Sequence, residues 1–171
     1  QRVPGAETPG AFEVLTVLLA YFNTTTRTLF YRDGVEAPMT ATPTPTGIDH
    51  LVLTVGDVER TGAFYERLGA EVVTFGDDRR AVQFGDQKIN LHPVDESVAD
   101  HVASAPQPGG DDFCLLTETP IEDVIEHLEE EGIDLVAGPV ERTGAVGTLT
   151  SVYVRDPDGN LVEIGAYEGE T

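Results

Sequence analysis

Five polar side chains fall on predicted strands at positions from which they could converge: His50, Asn90, His92, Asp112 and Glu163. Asn90 and His92 are two residues apart, so in a strand their side chains point to the same face. Imidazole nitrogens combined with oxygen ligands suit Zn, Ni, Mn or Fe(II) rather than copper bound through thiolates. The residue types therefore predict a site for one divalent metal ion.

The elements that must position these residues follow one order twice. Asp57 is predicted to begin a first helix and Gly69 to end it, while Thr119 begins a second helix that ends at Gly132. Strands are predicted around the helices at 48–55, 70–75, 81–84, 88–92, 113–117, 133–137, 148–154 and 161–164. This is the pattern of a duplicated βαβββ unit. The expected fold class is α+β, with two βαβββ modules forming an open, cupped eight-stranded mixed sheet.

The charge balance excludes two classes of partner. The chain has 31 Asp and Glu residues against 10 Lys and Arg residues, a formal net charge of −21. Such a field repels nucleic-acid phosphates and anionic lipids, so we expect neither nucleic acid nor membrane as a partner. The acidic residues are spread along the whole chain, a distribution that resembles salt-adapted (halophilic) proteins. We expect a cytoplasmic protein that binds a small molecule and forms a homodimer.

Two further groups of residues carry expectations of a structural kind. Cys114 is the single cysteine, which excludes an intrachain disulfide, and we expect a buried structural thiol there. Arg79 and Arg80 form the one doublet of basic residues, and we expect them to pair with the neighbouring Asp77 and Asp78. Neither group is predicted to belong to the site.

The amino-terminal part differs from the rest of the chain. Residues 1–38 are nearly neutral, and a Pro/Thr-rich stretch begins at Met39, the only methionine. We expect residues 1–46 to be a poorly ordered extension or linker, with translation starting at Met39; a mobile extension native to the protein is the alternative. The functional domain is predicted at 47–167, with modules at about 47–95 and 110–167.

Several stretches resemble one known superfamily. They are the sequences GIDHLVLTV at 47–55, FYERLG at 64–69, GPV at 138–140 and DPDGNLVEI at 156–164. The chain resembles the vicinal oxygen chelate superfamily, which includes glyoxalase I, fosfomycin resistance proteins, extradiol dioxygenases and bleomycin resistance proteins. Residues 78–92 and 140–147 further resemble the glyoxalase-domain-containing protein 5 branch.

The resemblance implies four metal-ligand positions. His50 and Glu163 match two of them, while Asn90 stands where a glutamate is usual and Asp112 where a histidine is usual. His92 could substitute for Asn90 as a ligand, so the predicted metal ligands are His50, His92, Asp112 and Glu163. Asparagine cannot transfer protons, so the base must be Glu163, Asp112 or a metal-bound hydroxide, and Glu163 is the predicted catalytic residue.

Two residues are predicted to contact the substrate instead. Asn90 remains at the site as a hydrogen-bonding group. Arg142 lies in the loop ERTGAVG at 141–147, where its guanidinium could hold an anionic group of a substrate. A salt bridge within the loop is the alternative for Arg142.

Three functions fit this resemblance. The first is a metal-dependent small-molecule enzyme resembling glyoxalase (lactoylglutathione lyase-like), acting on a substrate with vicinal oxygens. The second is an extradiol-type ring-cleavage dioxygenase. The third is a non-catalytic ligand-sequestering protein of the bleomycin-resistance type, an option that the two altered ligand positions keep open.

Overall fold

The computed structural model describes residues 21–23, 28–30, 36–38, 42–95 and 102–168. Contacts divide the chain into two units, residues 1–46 and 47–171. The first unit contains a three-stranded antiparallel sheet made of β1 (Tyr21–Asn23), β2 (Thr28–Phe30) and β3 (Glu36–Pro38). Met39, the predicted start, lies outside the described residues.

The second unit begins with a helix and a four-stranded mixed sheet. Its elements are β4 (His50–Val55), α1 (Val58–Arg67), β5 (Glu71–Phe75), β6 (Arg79–Phe84) and β7 (Gln87–Pro93). The strand order is β4-β7-β6-β5, with β4 parallel to β7 and the other pairs antiparallel. The first strand therefore lies beside the last strand of the module.

The next elements repeat this arrangement. They are β8 (Asp112–Leu116), α2 (Ile121–Glu130), β9 (Ala137–Thr143), β10 (Thr148–Arg155) and β11 (Leu161–Tyr167). The sheet order is β8-β11-β10-β9, again with the first and last strands parallel. The predicted α+β fold of two βαβββ modules is confirmed, and its eight strands are hydrogen-bonded as two sheets of four.

One hydrophobic core joins the two modules. Alternate residues of each sheet and one side of each helix are buried in it. Its fully buried members from both modules are Leu53, Val55, Tyr65, Val82, Leu128, Val152, Val154 and Val162. The sheet faces turned away from this core carry the polar residues singled out from the sequence. No helix in the described part of the chain is long and apolar enough to span a bilayer.

The helix ends match the sequence prediction in one module and differ in the other. Asp57 caps α1, since its carboxylate accepts a 2.8 Å hydrogen bond from the backbone N–H of Arg60, and Gly69 follows the helix with φ of +90°. In α2, however, Pro120 occupies the N-cap position and no side chain caps the helix. The predicted cap at Thr119 was wrong by one residue, because Pro120 keeps an extended ψ of 140°.

A second boundary was also wrong. The segment 133–137 was predicted as a strand, but β9 begins only at Ala137 and continues to Thr143. Ile133 is buried in the core but belongs to no strand. Its apolar side chain therefore indicated burial and not strand structure. Pro139 is tolerated inside β9 because this strand pairs only with β10 and lies at the edge of the sheet.

The turn between β10 and β11 ties the two modules together. Asp156 is buried, and its carboxylate accepts hydrogen bonds from the Tyr65 hydroxyl (3.2 Å) and from the Asn160 side chain (2.8 Å). Asp158 accepts hydrogen bonds from the Gly56 N–H (3.0 Å) and the Thr61 hydroxyl (3.1 Å). The DPDGN stretch therefore fastens α1 of the first module to the second module.

Candidate active site

Four side chains form a polar cluster on the exposed face of the second sheet. The strand register places Cys114, Glu163 and Tyr153 side by side on neighbouring strands. Arg142 lies on the same face and donates a 2.9 Å hydrogen bond from Nε to the Tyr153 hydroxyl. Its Cζ is 5.4 Å from the centroid of the Tyr153 ring. We call these four residues the Glu163 cluster.

Glu163 shapes the electrostatics of its neighbours. Partial burial raises the pKa of the Cys114 thiol to about 11, and the negative charge of Glu163 beside it adds to this shift. The pKa of the Tyr153 hydroxyl is likewise raised by desolvation and by Glu163, against an opposing effect of Arg142. Both groups therefore stay protonated at neutral pH and can donate hydrogen bonds toward the Glu163 carboxylate.

This arrangement predicts how Cys114 reacts. Glu163→Gln removes a negative charge next to the thiol, so the pKa of Cys114 should fall and its alkylation by iodoacetamide at pH 9 should become about three- to tenfold faster. The pH profile of alkylation measures this directly, because Cys114 is the only cysteine in the chain. Glu141→Gln, an equal charge change on β9, should leave the profile unchanged. An unaltered profile in Glu163→Gln would show that the two side chains do not interact.

Cys114 is exposed, so the expectation of a buried structural thiol was wrong. The strand β8 has one face against the core, and Phe113 and Leu115 occupy that face, which turns Cys114 outward. Its sulfur still lies close to the sheet, since a Cβ added at Gly165 would be 3.5 Å from it. The same added Cβ would lie 3.0 Å from the Ser151 hydroxyl oxygen, which is buried and has no hydrogen-bond partner.

Tyr153 and Ser151 were not among the residues predicted from the sequence. Both lie on β10, where they alternate with the core residues Val152 and Val154. That alternation was the one available signal that they share the face of Glu163. Arg142 was predicted to bind substrate, and in the structure its guanidinium contacts Tyr153 and the Glu141 carbonyl (2.9 Å). Its role toward a substrate stays a prediction.

Three of the other predicted site residues, His50, Asn90 and His92, lie on the corresponding face of the first sheet. His50 begins β4, is about half exposed, and its Nδ1 is 2.7 Å from Oδ1 of Asp49. An ionised carboxylate only accepts hydrogen bonds, so Nδ1 carries the proton and Nε2 of the neutral ring keeps its lone pair. A histidine oriented by a carboxylate in this way is typical of metal ligands.

Asn90 and His92 share that face, as their spacing predicted. Asn90 is 6% exposed, and its Oδ1 is buried without a hydrogen-bond partner. His92 is partly exposed, and its pKa is lowered by burial and by the positive charge of Arg79. His92 is therefore neutral at physiological pH.

The strand registers explain why these positions correspond between the modules. Val52 pairs with Asn90 in the first sheet as Cys114 pairs with Glu163 in the second, so Asn90 and Glu163 occupy equivalent positions. By the same rule His50 is equivalent to Asp112, which is exposed at the start of β8. The two predicted ligands of each module thus lie on the first and last strands of its own sheet.

The predicted ligands do not assemble into a metal site within one chain. Among residues 42–95 and 102–168, no three His, Cys, Asp or Glu side chains lie together in a way that could hold a metal ion. Within these described residues, the predicted ligands of one chain therefore do not complete a divalent metal centre. A cavity of about 460 Å³ does lie where β4 approaches β8, and His50, Lys88, Cys114 and Leu116 are among its lining residues.

The basic doublet also differs from expectation. Within the described residues, Arg79 and Arg80 form no ion pair with Asp77 or Asp78. The guanidinium of Arg79 lies over the Phe75 ring, and Arg80 donates a 3.2 Å hydrogen bond to Thr74. Asp78 takes a positive φ of 59° in the turn that precedes them.

The fold agrees with comparisons to known proteins. The chain belongs to the Glyoxalase/Bleomycin resistance protein/Dioxygenase superfamily, whose sequence profile matches residues 47–164. Members of this superfamily act on or bind small molecules, typically use a divalent metal ion and are often dimers.

Individual relatives cover most of the second unit. The virulence protein STM3117 of Salmonella typhimurium is 54% identical over 121 residues, which are 70% of this chain and 83% of that protein. Its crystal structure aligns with a TM-score of 0.72 at 51% identity, covering 74% of this chain and 100% of that chain. The glyoxalase domain-containing protein RDO1 of Mycosarcoma maydis is 50% identical over 121 residues, 71% of this chain and 68% of that protein.

A more distant structure carries an enzyme name. The lactoylglutathione lyase of Agrobacterium tumefaciens aligns with a TM-score of 0.57 at 25% identity, covering 72% of this chain and 95% of that chain.

Proposed function

We propose that this protein is a small-molecule enzyme of the glyoxalase type, acting on a substrate with oxygens on adjacent carbons. The observation that carries the proposal is the Glu163 cluster, in which a partly exposed carboxylate lies between the proton donors Cys114 and Tyr153 on an open sheet face. The enzyme name of a related structure supports this choice over ring cleavage or sequestration.

The proposed chemistry is a proton transfer between neighbouring carbons. The Glu163 carboxylate removes the proton from the carbon beside a carbonyl, leaving an enediolate, and returns it to the adjacent carbon. The hydroxyl proton passes from the first oxygen to the second in the same isomerisation, so no atom is gained or lost. Tyr153, held by Arg142, fixes the position of the carboxylate during both transfers. Between the two transfers the proton is held on the Glu163 carboxylate.

We further propose that a second copy of the chain completes the site. His50 and Glu163 lie on the faces of different sheets, and both faces are open in the single chain. Apolar side chains stand exposed beside them, with Val52 at 41% and Leu116 at 62% exposure. A homodimer that covers these residues would bring the first-sheet face of one chain against the second-sheet face of the other.

The proposed function also assigns roles to the two units. The site is assigned to residues 47–167, residues 1–46 are proposed to be an N-terminal extension, and the cytoplasm is the proposed location. The strongly acidic composition suits concentrated salt, in which surface carboxylates are screened. Assays are therefore best run in high salt.

The decisive experiment applies three assays to the purified protein: isomerisation, oxygen uptake and ligand binding. We expect isomerisation of a hemithioacetal formed from an α-ketoaldehyde and a thiol. Oxygen uptake on a catechol would instead support a dioxygenase, and tight ligand binding without turnover would support sequestration. Either of the latter two results, without isomerisation, would overturn the proposed reaction.

Mixing two inactive variants tests whether the site is shared. His50→Ala and Glu163→Gln each remove one half of it, so each homodimer should be inactive. If the site forms between chains, a mixed dimer contains one intact site, and an equimolar mixture unfolded and refolded together should recover about a quarter of the wild-type activity. If both residues act within one chain, the mixture stays inactive.

A further inference from the structure

The face of the first sheet holds two cations that pair with no carboxylate in the described part of the chain. Lys88 is the only lysine, and its Nζ lies 3.6 Å from the centroid of the Phe75 ring. The Cζ of Arg79 lies 4.7 Å from the same centroid. In a chain with 31 acidic residues, two positive charges that share one aromatic ring are an unusual concentration.

The register shows that these groups span the sheet face diagonally. Phe75 pairs with Arg79 at one end of β5, while Lys88 pairs with His50 and Gln83 at the other end of β7. Ala81 and Asn90 pair with each other between these ends, and they are 0% and 6% exposed. Lys88 therefore reaches Phe75 by extending across the part of the face that contains Asn90.

Asn90 is poorly satisfied in this position. Its Oδ1 is buried without a partner, which is unfavourable for a polar group removed from water. Rotation of the carboxamide by 180° exchanges oxygen and nitrogen at no steric cost, so Asn90 can present an N–H donor instead. Arg79, Lys88 and Asn90 would then each offer a hydrogen-bond donor on this face of the sheet.

We propose that this face, at Arg79, Lys88 and Asn90, binds an oxyanion: the carboxylate or phosphoryl group of a small-molecule ligand. An oxyanion would relieve the repulsion between the two cations, receive a forked hydrogen bond from Arg79 and give Asn90 a partner. The overall negative field of the protein repels anions elsewhere, so binding would be confined to this face.

The site also specifies the substrate of the proposed enzyme. Lys88 pairs with His50 in the sheet, so the anion site lies on the same sheet face as the residue predicted to mark the active site. The substrate class is then an anionic molecule with oxygens on adjacent carbons. This statement about the substrate rests on the proposed function, whereas the binding of an anion does not.

The test measures anion binding directly, without catalysis. Protein treated with a chelator is titrated with inorganic phosphate and, separately, with succinate at constant ionic strength, and amide chemical shifts are followed by NMR. We expect shifts centred on β5–β7, and binding about tenfold weaker in Arg79→Gln and in Lys88→Gln. Preference for phosphate or for succinate identifies the kind of oxyanion.

Two controls keep the result clear. Arg67→Gln removes an equal charge from α1, away from the sheet face. The Cζ of Arg67 also lies over a phenylalanine ring, 5.8 Å from the centroid of Phe64. The affinity of Arg67→Gln for the anion should match that of the wild type. Lys88→Arg retains the charge and should retain binding. The proposal would be overturned if the wild type bound no anion, or if Arg79→Gln and Lys88→Gln both bound it with wild-type affinity. It would also be overturned if only Arg142→Gln lost binding. Because no turnover is measured, failure here leaves the hemithioacetal assay to decide the proposed function separately.

Discussion

Replacing Asp156 by alanine is expected to lower the free energy of unfolding by about 3–5 kcal/mol, a large part of the stability of a typical domain. The buried Asp156 carboxylate accepts four hydrogen bonds: from the backbone N–H groups of Asp158 (3.0 Å) and Asn160 (2.9 Å), from the Asn160 side chain and from the Tyr65 hydroxyl. The substitution leaves buried donors without a partner and removes the hydrogen bond from Tyr65 of α1 to the second module.

Urea denaturation at fixed salt measures this loss. Tyr65→Phe removes only one of the four hydrogen bonds, so it should cost about 1 kcal/mol. Asp134→Ala removes an equal charge from an exposed residue and should change stability by less than about 0.5 kcal/mol. If Asp156→Ala were no more destabilising than Asp134→Ala, the turn would not be what joins the modules.

Glu163→Gln is expected to reduce kcat/KM for the proposed isomerisation by about 10²- to 10⁴-fold, the usual contribution of a general base. Glutamine keeps the size and much of the hydrogen bonding of glutamate, so the neighbouring Tyr153 should stay in place. The fold should therefore persist, and the loss should appear mainly in kcat, because a base acts on the transition state more than on bound substrate.

Two further variants separate a catalytic effect from a general one. Glu141→Gln makes the same charge change on β9, outside the Glu163 cluster, and should leave kcat/KM within about twofold of wild type. Tyr153→Phe should lower kcat by about tenfold, since Glu163 loses a donor that positions it but keeps its charge. Activity of Glu163→Gln close to that of Glu141→Gln would remove Glu163 from the reaction.

Local sequence patterns predicted most of the secondary structure because each depends on neighbouring residues. The Asp57 cap and the glycine at position 69 define α1 through hydrogen bonds and backbone angles within a few residues. The errors arose where a proline altered the pattern. Pro120 displaced the cap of α2, and Pro139 lay inside β9, where only its edge position makes it acceptable.

The site was harder to predict because it depends on which residues face one another across strands. Spacing showed that Asn90 and His92 share a face, but it could not show that Tyr153 lies beside Glu163, ten residues away across a turn. It also assigned the wrong environment to Cys114 and wrong partners to Arg79. Each of these depends on the sheet register and on which face the helices cover.

The sequence alone therefore determined the duplicated βαβββ architecture, the acidic surface and the strands that carry the polar residues, because these follow from local periodicity and composition. Only the tertiary structure decided that Asp156 joins the modules, that Tyr153 and Cys114 accompany Glu163, and that Lys88 reaches Phe75 across the first sheet. The physical reason is that the side chains on an exposed sheet face come from strands that are distant in the sequence. Only the register of the strands in the folded sheet brings these side chains into contact.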